Sequence, residues 1–429
     1  MRGKKLTLGL TVLVAMVALA MIAAAPRAAA QTETLLYSFK NNGTDGVDPE
    51  AGLIADAAGN LYGTTRFGGT YNYGTVFELS PKAGGGWAEK VLHSFNNDGV
   101  DGNVLAAGLV IDAAGNLYGT TQRGGAYAYG VVFELSPRKG GAWTEKILHS
   151  FGNGLDGEVP VAGLIMDAAG NLYGTTQYGG AHAVAGVGGT VFELRAKAGG
   201  GWIEKILYSF ADNGRDGYEP VTGLTFDGAG NLYGTTIYGG TDRVHCNLGC
   251  GTVFELRPAA SGSWIESILH SFAGGSADGA GLFGGLIIDA AGNLYGTTDE
   301  GGTGACPFGA VSCGTVFELT PAGSGNWTET MYSFDDADGF SPQASLILDS
   351  SGNLYGTTLY GGAYREAGVA FELTPTAGGG WTETLLNSFG RGNDADYPVA
   401  GLTFGPSGVL YGTASGGAYG SGAVFEITP

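Results

Sequence analysis

Apolar and polar positions along this chain follow one repeated order and never fall at helical spacing. Short apolar runs rich in Val, Ile, Leu, Tyr and Phe alternate with clusters of Gly, Asp, Asn and Ser, the pattern of short strands joined by turns. Four such runs recur as a set and are called strands a, b, c and d here; in the first copy they occupy residues 52–56, 61–65, 75–80 and 87–95. The a–b link, Ala57-Ala58-Gly59-Asn60, and the c–d link around Ala83-Gly84-Gly85 are of hairpin length, so successive strands are expected to be antiparallel neighbours in a meander. Segments such as Thr75-Val76-Phe77-Glu78-Leu79 do not alternate cleanly, which implies sheets covered on both faces.

The set repeats seven times. Gly-Asn-Leu-Tyr-Gly-Thr-Thr occurs with its Asn at Asn60, Asn116, Asn171, Asn231, Asn293 and Asn353, and a degenerate seventh copy places Val409 there; the spacings are 56, 55, 60, 62, 60 and 56 residues. A four-stranded meander repeated at this period predicts an all-β, seven-bladed β-propeller. After the leader the chain opens on a d-type segment (33–39) and stops just after a c-type segment (423–428), so the N-terminal strand is expected to complete the C-terminal blade and close the ring. Residues 31–429 are then read as one domain. Composition agrees: 82 Gly and only 14% charged residues exclude a helical or coiled-coil protein, whereas 44% hydrophobic residues with 20 Phe, 21 Tyr and 6 Trp exclude a disordered or collagen-like one.

The recurring Gly-Asn-Leu-Tyr-Gly-Thr-Thr string resembles the GloVer tandem repeat, found in exported bacterial proteins described as choice-of-anchor proteins, over nearly all of the chain after the leader. Members often carry a C-terminal sorting segment. This sequence ends on its last blade without an apolar tail, so release or periplasmic residence is expected in place of surface anchoring. The resemblance implies no established reaction.

Residues 1–30 carry Arg2, Lys4 and Lys5, an apolar run from Leu6 to Ala25 and small residues before Gln31, the pattern of a cleaved secretory signal peptide. The formal net charge is −20. Cleavage would remove four basic residues and leave 16 against 40 acidic ones, a net of −24. Such a balance excludes nucleic acid and anionic membrane surfaces as partners. Cys246 with Cys250 and Cys306 with Cys313 form two close pairs, read as local disulfides in an oxidising compartment; a zinc site at His245, Cys246 and Cys250 is the competing reading.

Propeller geometry sets the b–c and d–a connections on one face. The b–c loops vary from seven residues (415–421) to fifteen (299–313) and hold both cysteine pairs, so candidate ligand-binding residues are His182, Asp242, Arg243, His245, Asp299, Glu300 and Phe308. The d–a loops carry Asp45, Asp101, Asp156, Asp216, Asp278 and Asp338 in Asp-Gly pairs, with Asp394 and Asp396 in the seventh; these read as turn residues, the alternative being a carboxylate ring able to hold Ca²⁺. No other cofactor is expected. A Glu recurs in every strand c, from Glu78 to Glu426, and is read as a cross-strand partner of residues such as Lys90, Lys146 and Lys205. His93, His149 and His270 share a strand-d position with Tyr37, Tyr208, Tyr332 and Asn387 and read as packing. No nucleophile elbow, phosphate-binding loop or His-Glu-x-x-His is present. The expected function is therefore a monomeric, exported binding scaffold for glycan or protein on the variable-loop face. The alternative is an extracellular polysaccharide hydrolase or lyase with two carboxylates in the central funnel.

Overall fold

Residues 32–184, 186–306, 312–364 and 367–428 are described by a computed structural model, so the leader lies outside them. Each repeat folds as an antiparallel sheet in the order a-b-c-d, and seven such sheets form the ring of a β-propeller. In the first blade the strands are Ile54–Ala55, Leu61–Thr65, Thr75–Pro81 and Trp87–Ser94.

The repeated string has a role at each position. Gly59 takes a φ of 85° in the a–b turn. Asp56 closes that turn by accepting the backbone N–H groups of Ala58 and Asn60, and its second oxygen accepts the Asn60 side-chain amide (2.8 Å) and the Tyr62 hydroxyl (3.1 Å). Leu61 is fully buried. Gly63 pairs with Phe77 across strands b and c, and the Phe77 ring lies over it: a methyl group there would sit 2.6 Å from Phe77 Cζ. Thr64 donates to the Ala107 carbonyl of the next blade at 2.9 Å, and five other interfaces repeat that bond. Thr65 turns to its own blade and bonds the Phe67 carbonyl and the Thr75 hydroxyl.

Blades pack on one another through a second repeated contact. The Phe that follows strand d of one blade meets the strand-c Phe of the next, steeply inclined, with ring centroids 4.8–5.1 Å apart at all seven interfaces. One of the seven is Phe39 against Phe77, because Thr32–Ser38 pairs antiparallel with Ala423–Thr428 and supplies strand d of the seventh blade. The ring is therefore closed between the two ends of the chain, as expected. Near the axis Gly52, Gly108, Gly163, Gly223, Gly285, Ser345 and Gly401 form a closed circuit, each against its counterpart in the neighbouring blade.

At the outer rim six of the seven interfaces also join a residue of strand d, the Asp of the following d–a loop and the third residue of the next blade's Trp-x-Glu strand; at the other, Glu33 accepts the Asn387 amide and the Ala395 N–H. Tyr37, Tyr208 and Tyr332 donate their hydroxyls to Asp45, Asp216 and Asp338 at 2.6–3.0 Å. The neighbouring carboxyl groups are held well above their ordinary values, first by burial and then by those same Asp charges: Glu89 and Glu266 at about 7 and Glu383 at about 8. Strand-c Glu78 does lie opposite Lys90, and Glu134 and Glu193 lie opposite Lys146 and Lys205. Yet Lys90 and Lys205 extend instead to the Gly141 and Gly262 carbonyls of the next c–d turn, while Tyr173, Tyr233, Tyr295 and Tyr355 of strand b donate to the strand-c Glu. A four-carbon stem reaches past its cross-strand partner to a fixed acceptor.

Two predictions follow from this packing. If the closing interface is equivalent to the others, Phe39→Ala and Phe210→Ala should each cost about 3–5 kcal/mol in denaturant unfolding; a near-neutral Phe39→Ala would mean that the N-terminal strand does not close the ring. The rim carboxyls bind protons more tightly in the folded chain than in the unfolded one. Their contribution is thus complete below the ordinary Glu value of 4.5 and is lost as pH rises through 7 to 8. With chelator present, the thermal midpoint should fall between pH 5.5 and pH 9, and Glu266→Gln should melt above the native chain at pH 9 but not at pH 5.5.

Candidate functional site

Short ladders of two residues lock the d–a loops to the b–c loops, for example Gly46–Val47 with Phe67–Gly68 and Gly217–Tyr218 with Tyr238–Gly239. Both loop sets therefore share one face, and the Asp56-type turns lie on the other. The Asp-Gly carboxylates accept hydrogen bonds within this scaffold. Asp45, Asp101, Asp156, Asp216 and Asp278 are each more than nine-tenths buried. Asp45 accepts the N–H groups of Gly46 and Lys40 as well as the Tyr37 hydroxyl, and Asp101 accepts those of Gly102 and Asn96. Asp338 accepts the Asp335 N–H. In the seventh copy Ala395, between Asp394 and Asp396, donates its N–H to Glu33.

Two of the depressions on the loop face bear on the candidate residues. The first, about 350 Å³, lies where the fourth and fifth blades meet, and His245, Cys246, Cys250, Phe283, Asp299 and Glu300 line it. Its wall is the b–c loop of blade four, stapled by the Cys246–Cys250 disulfide; a second disulfide joins Cys306 to Cys313. Both pairings are those expected from sequence, and they remove the sulfur ligands that the zinc reading of His245 required. Asp242 caps the loop by accepting the Val244 and His245 N–H groups, and Arg243 pairs with Asp212 at 2.8 Å. His245 Nδ1 donates to the Ala273 carbonyl at 2.8 Å, leaving Nε2 free of that bond. Asp299 is held by the Ser341 hydroxyl and the Gln343 amide. His182 bonds the Ser209 carbonyl on the third blade and does not line this cavity. Phe308 lies outside the described residues.

The second depression is larger, about 920 Å³, and runs across blades one to three. Phe67, Tyr73, Tyr127, Tyr129 and Tyr178 line it together with Asn72, Asn97, Asn103, Arg123 and Glu158. Tyr127 and Tyr129 remain 45% and 43% exposed. Reading for long loops alone misses this groove. Its signal was composition: the short b–c loops of blades one and two contain Tyr71-Asn72-Tyr73 and Tyr127-Ala128-Tyr129.

Reading strand d as packing also missed a constellation at the rim. His93, His149 and His270 do pack against Phe95, Phe151 and Phe272, with ring centroids 4.4–4.7 Å apart. Each also brings Nε2 to a carboxylate pair: Asp101 with Glu145, Asp156 with Glu204, and Asp278 with Glu329. These are the three groups among the described residues whose His and carboxylate atoms converge closely enough to hold a metal ion. The innermost strands, by contrast, run Ile54–Ala55, Val110–Ile111, Ile165–Met166, Thr225–Phe226, Ile287–Ile288, Ile347–Leu348 and Thr403–Phe404 and contain no carboxylate. No described helix is long and apolar enough to cross a membrane.

No curated protein matches the chain. PorZ, an essential surface component of the type-IX secretion system of Porphyromonas gingivalis, is similar at 13% identity with a TM-score of 0.50, over 90% of this chain and 47% of PorZ. The chain thus spans about half the length of PorZ, and at that identity the likeness shows the fold alone. A Thermus thermophilus protein described as an oxidoreductase of the glucose dehydrogenase kind aligns over 93% of this chain and 100% of its own, at 16% identity and a TM-score of 0.40. The Gloeobacter/Verrucomicrobia repeat matches residues 26–246 and 244–429, taking in all seven blades, and the chain belongs to that family.

Proposed function

We propose that this protein is an exported, non-catalytic binding scaffold whose loop face holds a neutral glycan chain in the groove across blades one to three. The aromatic lining of that groove carries the reading. Sugar rings present apolar C–H faces that stack on tyrosine, and the amides of Asn72, Asn97 and Asn103 with the Arg123 guanidinium supply donors and acceptors for hydroxyl groups. A formal net charge of −20 disfavours uronic-acid or sulfated polymers and so selects neutral ones. The cavity at blades four and five, with His245, Asp299 and Glu300, offers a second contact region on the same face.

Support for binding over hydrolysis comes from the axis, where small residues meet and the innermost strands bring no acid–base pair. Export rests on the leader and agrees with the two disulfides.

The test is titration calorimetry of the chain from residue 31 onward with cello-, xylo- and manno-hexaoses. Binding of at least one is expected, and Tyr127→Ala and Tyr129→Ala should each weaken it about tenfold or more, equivalent to ~1.4 kcal/mol, without lowering the melting temperature. Equal affinity in both variants would remove the groove from the reading. Cleavage of any of these sugars, abolished by changing one carboxylate to its amide, would replace the scaffold with an enzyme.

A further inference from the structure

The three histidine-bearing interfaces are not equivalent to the tyrosine-bearing ones. Where Tyr occupies the strand-d position, its O–H gives a proton to the Asp and completes a hydrogen bond. Imidazole Nε2 can present a lone pair at the same place. His93 Nε2 lies 3.4 Å from Asp101 Oδ2 and 3.7 Å from Glu145 Oε2; His149 Nε2 lies 3.0 Å from Asp156 Oδ2 and 3.7 Å from Glu204 Oε1; His270 Nε2 lies 3.4 Å from Asp278 Oδ2 and 3.9 Å from Glu329 Oε2.

We propose that these three clusters are binding sites for a divalent transition ion of the zinc class, each clamping one blade to the next. A tetrahedral ion with nitrogen and oxygen ligands at about 2.1 Å sets its ligand atoms about 3.4 Å apart, close to the separations found. One neutral imidazole and two carboxylates bring a charge of −2 to a doubly charged ion. Oε1 of Glu145, Glu204 and Glu329 is buried with no hydrogen bond, as is that of Glu89, Glu266 and Glu383 at the tyrosine-bearing interfaces; what distinguishes the three clusters is the imidazole, with His93 Nε2 buried and without a hydrogen bond and His149 and His270 Nε2 bonded to Asp156 and Asp278. A nitrogen ligand and a set of three favour zinc over calcium, which takes six to eight oxygens.

Supporting contacts are already in place. Asp101 is fixed by the Gly102 and Asn96 N–H groups and Asp278 by those of Gly279 and Ala273, while each imidazole rests edge-on against its Phe. About a fifth of each His side chain remains exposed. His and Asp come from one blade and Glu from the next, so an ion at these points braces interfaces one–two, two–three and four–five.

The chain from residue 31 onward, stripped with chelator and dialysed, would be titrated with Zn²⁺ by calorimetry and with Co²⁺ by visible absorption. Three equivalents are expected, with the intense absorption of low-coordinate Co²⁺ and a rise in melting temperature on adding Zn²⁺. Each of His93→Tyr, His149→Tyr and His270→Tyr should remove one equivalent. The triple variant should remove all three yet fold, because Tyr stands at this position in blades three, five and seven. Absence of saturable Zn²⁺ binding, or a triple variant that keeps the native stoichiometry, would overturn the proposal; in the latter case the ion sits elsewhere, with exposed His182 and His245 the remaining imidazoles.

Discussion

The ring rests on one contact made seven times: a phenylalanine leaving strand d of one blade set against the strand-c phenylalanine of the next, over a glycine that admits no side chain. Edge-to-face aromatic pairs combine large apolar burial with a preferred geometry, so each pair fixes both the spacing and the inclination of adjacent sheets. The glycine beneath is part of the same constraint. Phe77 lies against Gly63 because strand b has no Cβ there, and the two threonines that follow divide their bonds between the next blade and their own. Since Phe39 and Phe77 make that contact between opposite ends of the chain, closure needs no special chemistry.

A frame built this way leaves its loop face free to vary. The b–c loops differ twofold in length while the ladders that anchor them to the d–a loops persist. Length and disulfides mark blades four and five, whereas the tyrosines that line the groove mark blades one to three. A short loop on a rigid ring can present a ring face as firmly as a long stapled one, because the strands on either side fix its ends.

The rim shows the opposite economy. Setting an Asp and a Glu together at six of the interfaces leaves like charges close in a poorly solvated place, and a proton, a tyrosine hydroxyl or an ion must relieve them. The end of one strand d lies against the start of the next, and so His93 meets Glu145, 52 residues further along the chain.

Repetition made the fold legible before any coordinates. A seven-times-repeated string, hairpin-length links and an orphan d segment at the N-terminus define strand order, blade number and closure, because each is a matter of local pattern and counting. The disulfides were legible for the same reason, their partners being four and seven residues apart. The groove and the rim clusters were not. Tyr73, Tyr129 and Tyr178 come from three blades, and every His–Asp–Glu cluster draws its Glu from the neighbouring repeat. Sequence determines what each blade contains, but the angle and twist at which blades pack decide which side chains of adjacent copies meet, and that geometry exists only once the ring has closed.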